Sequence, residues 1–207
     1  DLIVGAKTGS LNLLLYSVFR IGSPTDNISW QAYREIADAD DVAWTIPISL
    51  GDSHKGYRVV GTTEAFFKYF SFGKERRLAF YKGEAFEGTF DAVLGSEVAT
   101  ALGYSMGTEV ILAHGLASAS FTKHDNQPFV VVGILAPTGT PVDHTIHVRL
   151  EGIEAIHAGG SKVPIGAFAP ANRPVTNFSE PESITAFMLG LKSRMSTFNV
   201  QRQINQF

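Results

Sequence analysis

The chain has 207 residues, of which 44% are hydrophobic and 18% charged, and its formal net charge is −3. That balance supports a buried core, argues against disorder and gives no basic excess that would point to nucleic acid. Cysteine is absent, which excludes a disulfide framework, thiol catalysis and a zinc finger.

No stretch reaches the roughly 18 consecutive apolar residues of a membrane span; the longest apolar stretches are Phe129–Ala136 and Leu11–Tyr16. No signal peptide pattern is visible. The first residue is Asp, so the chain reads as a segment excised from a longer protein, with its targeting signals outside it.

In chain order, Leu11, Leu14, Val18 and Ile21 follow a helical repeat. Ser29 is placed to cap a helix over Trp30–Ala39. Pro47 and Gly51 are expected to break the chain. Tyr57–Thr62 reads as a strand, Glu64–Phe70 as a short aromatic helix and Ala92–Gly95 as a short buried strand. Ser96 is expected to cap a helix running to Leu102, with Gly103 ending it. Glu109–Ala113 and Phe129–Leu135 are apolar strands, joined by a polar hairpin loop over Ser118–Gln127. A turn over Ala136–Val142 leads to a strand over Thr145–Leu150 and a short helix over Glu151–Ala158. Gly159–Asn177 reads as a loop. A last helix is expected from the 4-3-4-3 spacing of Ile184, Met188, Leu191, Met195 and Phe198, with Ser179 and Glu182 as its capping box and Pro181 in its first turn. Both terminal stripes suit either a helix-on-helix seam or an amphipathic helix lying on the domain's own core.

Catalytic chemistry finds little support. No phosphate-binding loop is present. Gly51–Gly56 only approximates a nucleophile elbow, because its second glycine comes one residue late; Ser53 and His54 would be the pair of a hydrolase, and a turn is the structural reading. In Asp143-His144-x-x-His147 a strand would send the two histidines to opposite faces, against a shared metal. Asp38, Asp40 and Asp41 read as a solvated acidic turn, and Lys74-Glu75-Arg76-Arg77 as a solvated basic loop or a contact for an anion or partner. Phe66, Phe67, Phe70 and Phe72 form a core cluster or, where exposed, a partner surface or apolar ligand groove. No catalytic residue, metal ligand or cofactor site is assigned.

Four elements in order carry a family resemblance: Asp41–Ser53 (DVAWTIPISLGDS), Tyr57–Phe70 (YRVVGTTEAFFKYF), Ala92–Leu112 (AVLGSEVATALGYSMGTEVIL), and Phe129–His157, which opens FVVVGILAPTG. Together they resemble the extracytoplasmic domain of MacB-type, FtsX-like ABC transporter permeases, over about Ile28–His157. Two stretches depart from the pattern: Lys82-Gly83 stands where the family has Gly-Arg, and Gly159–Asn177 is not part of it.

The resemblance implies a two-lobed α+β fold. Residues 23–80 and 140–178 would form an α+β lobe, 81–139 a smaller β-rich insertion, and 1–22 and 179–207 stalk helices adjoining two transmembrane spans. It further implies a domain on the periplasmic side of the inner membrane that moves when a separate cytoplasmic ATPase turns over. A second permease copy and a periplasmic adaptor or substrate carrier would be its partners, and a peptide, macrolide-like or lipid-class molecule its substrate. The alternative is a periplasmic module binding peptide, lipid or metal in an aromatic cleft.

Overall fold

The computed structural model describes residues 2–7, 9–22, 24–114, 127–157 and 180–205. In chain order the elements are β1 (Leu2–Gly5), α1 (Ser10–Ser17), β2 (Ile28–Ser29), α2 (Trp30–Ala37), β3 (Val42–His54), β4 (Tyr57–Thr62), α3 (Ala65–Tyr69), β5 (Ser71–Phe72), β6 (Arg76–Arg77), β7 (Phe80–Gly83) and β8 (Asp91–Leu94). They continue with α4 (Ser96–Leu102), β9 (Glu109–Val110), β10 (Ala113–His114), β11 (Phe129–Leu135), β12 (Thr145–Arg149), α5 (Leu150–His157), β13 (Ser183–Ile184), β14 (Ala186–Leu191) and α6 (Thr197–Ile204). Single 3-10 turns lie at Pro141–His144 and Arg194–Ser196. The fold is mixed α and β, and among the described residues no helix is long and apolar enough to cross a membrane.

The chain packs as two compact units, Asp1–Leu50 with Pro181–Phe207, and Gly51–Glu180. In the first, β14 lies between β1 and β3, antiparallel to both, while β2 pairs with β13. α1 packs on β1 through Leu13 and Tyr16, which lie so close to Gly5 that a Cβ there would sit 2.3 Å from a Leu13 methyl. α2 starts as its sequence predicts: the Ser29 hydroxyl accepts from the Ala32 N–H at 3.2 Å, and Tyr33 and Ile36 face the interior.

The second unit is built on the strand order β4-β12-β8-β11-β7. β12 runs parallel to β4 and β8 parallel to β11; β8 is antiparallel to β12, and β7 and β9 are antiparallel to β11. β10 pairs with the last residues of β3. Lys55 and Gly56, both at positive φ (47° and 86°), turn β3 into β4; that conformation at both central residues is what a two-residue hairpin turn of this hand requires. Its core gathers Val59, Leu94, Val98, Phe129, Val131, Ile146 and Ile153. Gly103 ends α4 in the left-handed conformation, φ 66°, as expected.

Several expectations are corrected. Ser183–Ile184 and Ala186–Leu191 are strands, not helix. β14 has buried residues on both of its faces, Ala186 on one and Phe187 and Leu189 on the other, so its apolar residues need no alternation, and the 4-3-4-3 spacing arises without a helical face. Among the described residues, the α-helix near that end is α6, after the 3-10 turn at Arg194–Ser196. α1 covers Leu11 and Leu14 but closes at Val18, and Ile21 lies beyond it. Pro47 and Gly51 do not interrupt the chain: both lie within β3, where Pro47 is opposite Phe187. Gly95, not Ser96, occupies the N-cap of α4. The strand expected over Glu109–Ala113 is divided between β9 and β10. The loops expected at Ser118–Gln127 (apart from Gln127) and Gly159–Asn177 lie outside the described residues, as does Ser179.

Candidate functional site

Three places carry the residues singled out by the sequence. The first is the pair of segments flanking β1 and β14. Antiparallel register sets Leu2 opposite Leu189 and Gly5 opposite Ala186, so the first strand of this unit is paired with the strand that leads to α6. The helical stripe expected on α1 points outward: Leu11 is 68% exposed, and Leu14 and Ile21 are exposed too, while Val18 is half-buried. The face of α1 that packs inward is instead Leu13, Tyr16 and Ser17. At the other end Ile184 is fully buried, Met188 and Leu191 are half-buried, and Met195 (88%) and Phe198 (79%) stand in solvent. Met188 lies between Ile3 and Ile46 in the ladder. The two expected stripes therefore do not meet as a helix pair. What the fold pairs is β1 with β14, and it leaves Leu11, Leu14, Phe19, Ile21, Met195 and Phe198 as exposed apolar side chains.

The second place is the end of β3. Asp52, Ser53 and His54 are all buried. Successive side chains of a strand point to opposite faces, so His54 and Ser53 diverge. Both ring nitrogens of His54 are also engaged: Nδ1 is 2.7 Å from the Ile111 carbonyl and Nε2 is 2.8 Å from the Tyr104 hydroxyl. A carbonyl only accepts, so Nδ1–H donates to it and Nε2 accepts from the phenol. Burial foremost pulls the His54 pKa below the usual histidine value, with the Ile111 bond opposing. This imidazole is a neutral structural bridge that cannot serve Ser53 as a base. On the Asp52 side, its Oδ2 lies 3.3 Å from Nε2 of His157, and accepting the imidazole's N–H there raises the His157 pKa. That pair joins residues far apart in sequence, and no local motif announces it.

The third place is the aromatic group of α3. Phe66 is fully buried and Phe67 nearly so. Phe66 stacks on Phe70 (4.9 Å) and on the buried imidazole of His147 (4.7 Å), and Phe67 meets Phe80 and Phe86 edge-on or tilted. Phe66 and Phe67 thus pack in the core. Phe70 and Phe72 are half-buried, and the Arg76 guanidinium covers the Phe72 ring at 4.6 Å. His147 is buried while His144 is exposed, so the two histidines diverge.

The sequence matches the model of the MacB-like periplasmic core domain family over residues 5–207. The chain belongs to that family: it is a MacB-like extracytoplasmic domain, of the kind carried by ABC transporter permeases. Its fold is similar to the extracellular domain of the noncanonic ABC-type transporter YknZ from Gram-positive bacteria (TM-score 0.54, 11% identity, 87% of this chain and 83% of that one). It is similar also to the periplasmic region of MacB from Actinobacillus actinomycetemcomitans (TM-score 0.58, 10% identity, 99% of this chain and 79% of that one). No curated protein matches the sequence.

Proposed function

We propose that this domain is a mechanical element of an ABC transporter permease of the inner membrane. ATP is bound and hydrolysed by a cytoplasmic ATPase, and the permease carries the resulting motion to the periplasmic side. There two copies of the domain approach or separate, and so help export or extract a substrate of the peptide, macrolide-like or lipid class. A periplasmic adaptor or substrate carrier is the expected partner.

The observation that carries this reading is the pairing of β1 with β14. Because β1 is paired antiparallel with β14, which leads through a 3-10 turn to α6, a displacement applied to either strand is shared through their hydrogen-bond ladder. The stalk role assigned by resemblance to residues 1–22 and 179–207 then falls on a strand pair with α1 and α6 beside it. Leu11, Leu14, Ile21, Met195 and Phe198, exposed in this chain, mark the surface where the rest of the transporter, or its second copy, would be met.

The test is the whole permease assembled with its ATPase and carrying Leu11→Asp and Phe198→Asp. Both side chains are solvent-exposed, so folding is expected to survive. Basal ATP turnover should persist and transport should be lost. Transport at the unmodified rate would refute the coupling role.

A further inference from the structure

Residues 68–82 hold five cations and one carboxylate within a chain of formal net charge −3. The structure gathers them on connected elements of the second unit. Lys68 stands on α3, Lys74 in the turn between β5 and β6, Arg76 and Arg77 on β6, and Lys82 on β7. Phe67 against Phe80, ring centroids 5.4 Å apart, ties α3 to β7. Arg77 donates to the Tyr69 carbonyl, which ties β6 to the end of α3. The β5–β6 register places Phe72 opposite Arg76.

All five cations are exposed. Among the described residues none of them has a carboxylate partner, whereas Arg34 is paired with Asp38, and Arg149 with Glu64 and Glu151. Three are held on aromatic rings instead: Arg76 over Phe72 at 4.6 Å, Lys68 over Tyr69 at 5.0 Å and Lys82 over Tyr81 at 5.7 Å. Cations already positioned this way lose less freedom when a ligand arrives. Phe72 is therefore a platform for a guanidinium rather than an apolar contact.

We propose that this face, formed by α3, the β5–β6 hairpin and β7, docks an acidic segment of a protein partner. The two arginines, consecutive on β6 and so on opposite sides of the hairpin, offer planar forks suited to carboxylates, and the lysines add point charge around them. Tyr81, 69% exposed, supplies the aromatic contact that protein interfaces favour. A lipid surface fits less well: beside Tyr81 the large exposed hydrophobic residue at this face is Met106, which lies against Gly83 of β7, and a single aliphatic side chain falls short of the apolar face that enters a membrane interface. From the permease reading the proposal borrows only the supposition that the domain meets periplasmic proteins.

The test uses the 207-residue chain with a fluorescent decaglutamate peptide, a decaglutamine control, and vesicles of phosphatidylcholine with and without phosphatidylglycerol. Decaglutamate should bind, more weakly as salt rises. Arg76→Glu with Arg77→Glu should weaken it about tenfold or more, and Arg76→Gln with Arg77→Gln by less. Arg194→Glu with Arg202→Glu, a reversal of equal size at exposed positions of the first unit, should leave it unmoved. Absence of decaglutamate binding, or equal losses from both reversals, would overturn the proposal. So would patch-dependent binding to phosphatidylglycerol vesicles without binding to the peptide. No membrane span or ATP takes part, so failure here leaves the coupling role untouched.

Discussion

Oδ2 of Asp52, near the end of β3, lies 3.3 Å from Nε2 of His157, the last residue of α5. The hydrogen bond to Asp52 raises the His157 pKa above its ordinary 6.5; partial burial opposes this, and the charges of Asp52 and Glu154 add to it. A raised base stabilises the fold fully below the unfolded value, and that stabilisation is lost as pH climbs through the folded one. Unfolding midpoints of the natural chain and of Asp52→Asn should therefore converge as pH rises from about 6 to 8. In an NMR titration Asp52→Asn should lower the His157 pKa. A gap between the two midpoints that stays constant with pH would contradict the pairing.

His54 behaves in the opposite sense. Its pKa is lowered, foremost by burial, so its contribution is present above the ordinary value and fades as pH falls below it. Tyr104→Phe removes the hydroxyl that donates to Nε2 and leaves a buried acceptor without that bond. The expected cost is about 1 kcal/mol by chemical denaturation.

Asp143 fixes the turn before β12. Its carboxylate accepts from the Thr138 N–H at 2.9 Å, the Thr138 hydroxyl at 2.8 Å and the Gly139 N–H at 2.7 Å. Burial pushes its pKa up, but these bonds outweigh it and hold the group below the usual aspartate value. Its stabilisation is present above that usual value and disappears as pH falls through the folded one. Asp143→Asn should cost about 1–3 kcal/mol at neutral pH, and the difference from the natural chain should shrink in acid.

Gly95 sits where α4 begins. A Cβ there would lie 2.2 Å from the Val142 carbonyl oxygen and 2.4 Å from that of Asp143. Both are backbone atoms with little room to retreat, so Gly95→Ala should destabilise the chain by about 1–3 kcal/mol. An unchanged melting temperature would show that the turn can yield.

Much of the second unit was legible in the sequence. β4 coincides with the expected Tyr57–Thr62, and β11 with Phe129–Leu135. Each is a short run rich in Val or Ile, and a turn signal at Gly56 leads into β4. Gly103 marked the end of α4 because few other residues adopt its conformation at low cost. The first unit was harder. β14 carries buried residues on both faces, so periodicity could not separate it from a helix. Pro47 and Gly51 suggested a break where β3 runs on, because proline harms a strand only where its missing N–H would join the ladder. The Asp52–His157 pair and the packing of Phe67 on Phe80 are long-range contacts that no local spacing encodes. The basic loop Lys74–Arg77 was legible in the sequence, but its grouping with Lys68 and Lys82 and the aromatic platforms depend on the folded hairpin.

The central claim is best tested by placing a spin label at Met195→Cys in both copies of the whole permease, a site that is 88% exposed in a chain without native cysteine. The distance between the labels is then compared without nucleotide and with ATP bound under conditions that block hydrolysis. A mechanical role predicts a shifted distance distribution on ATP binding; identical distributions in the two states would contradict it.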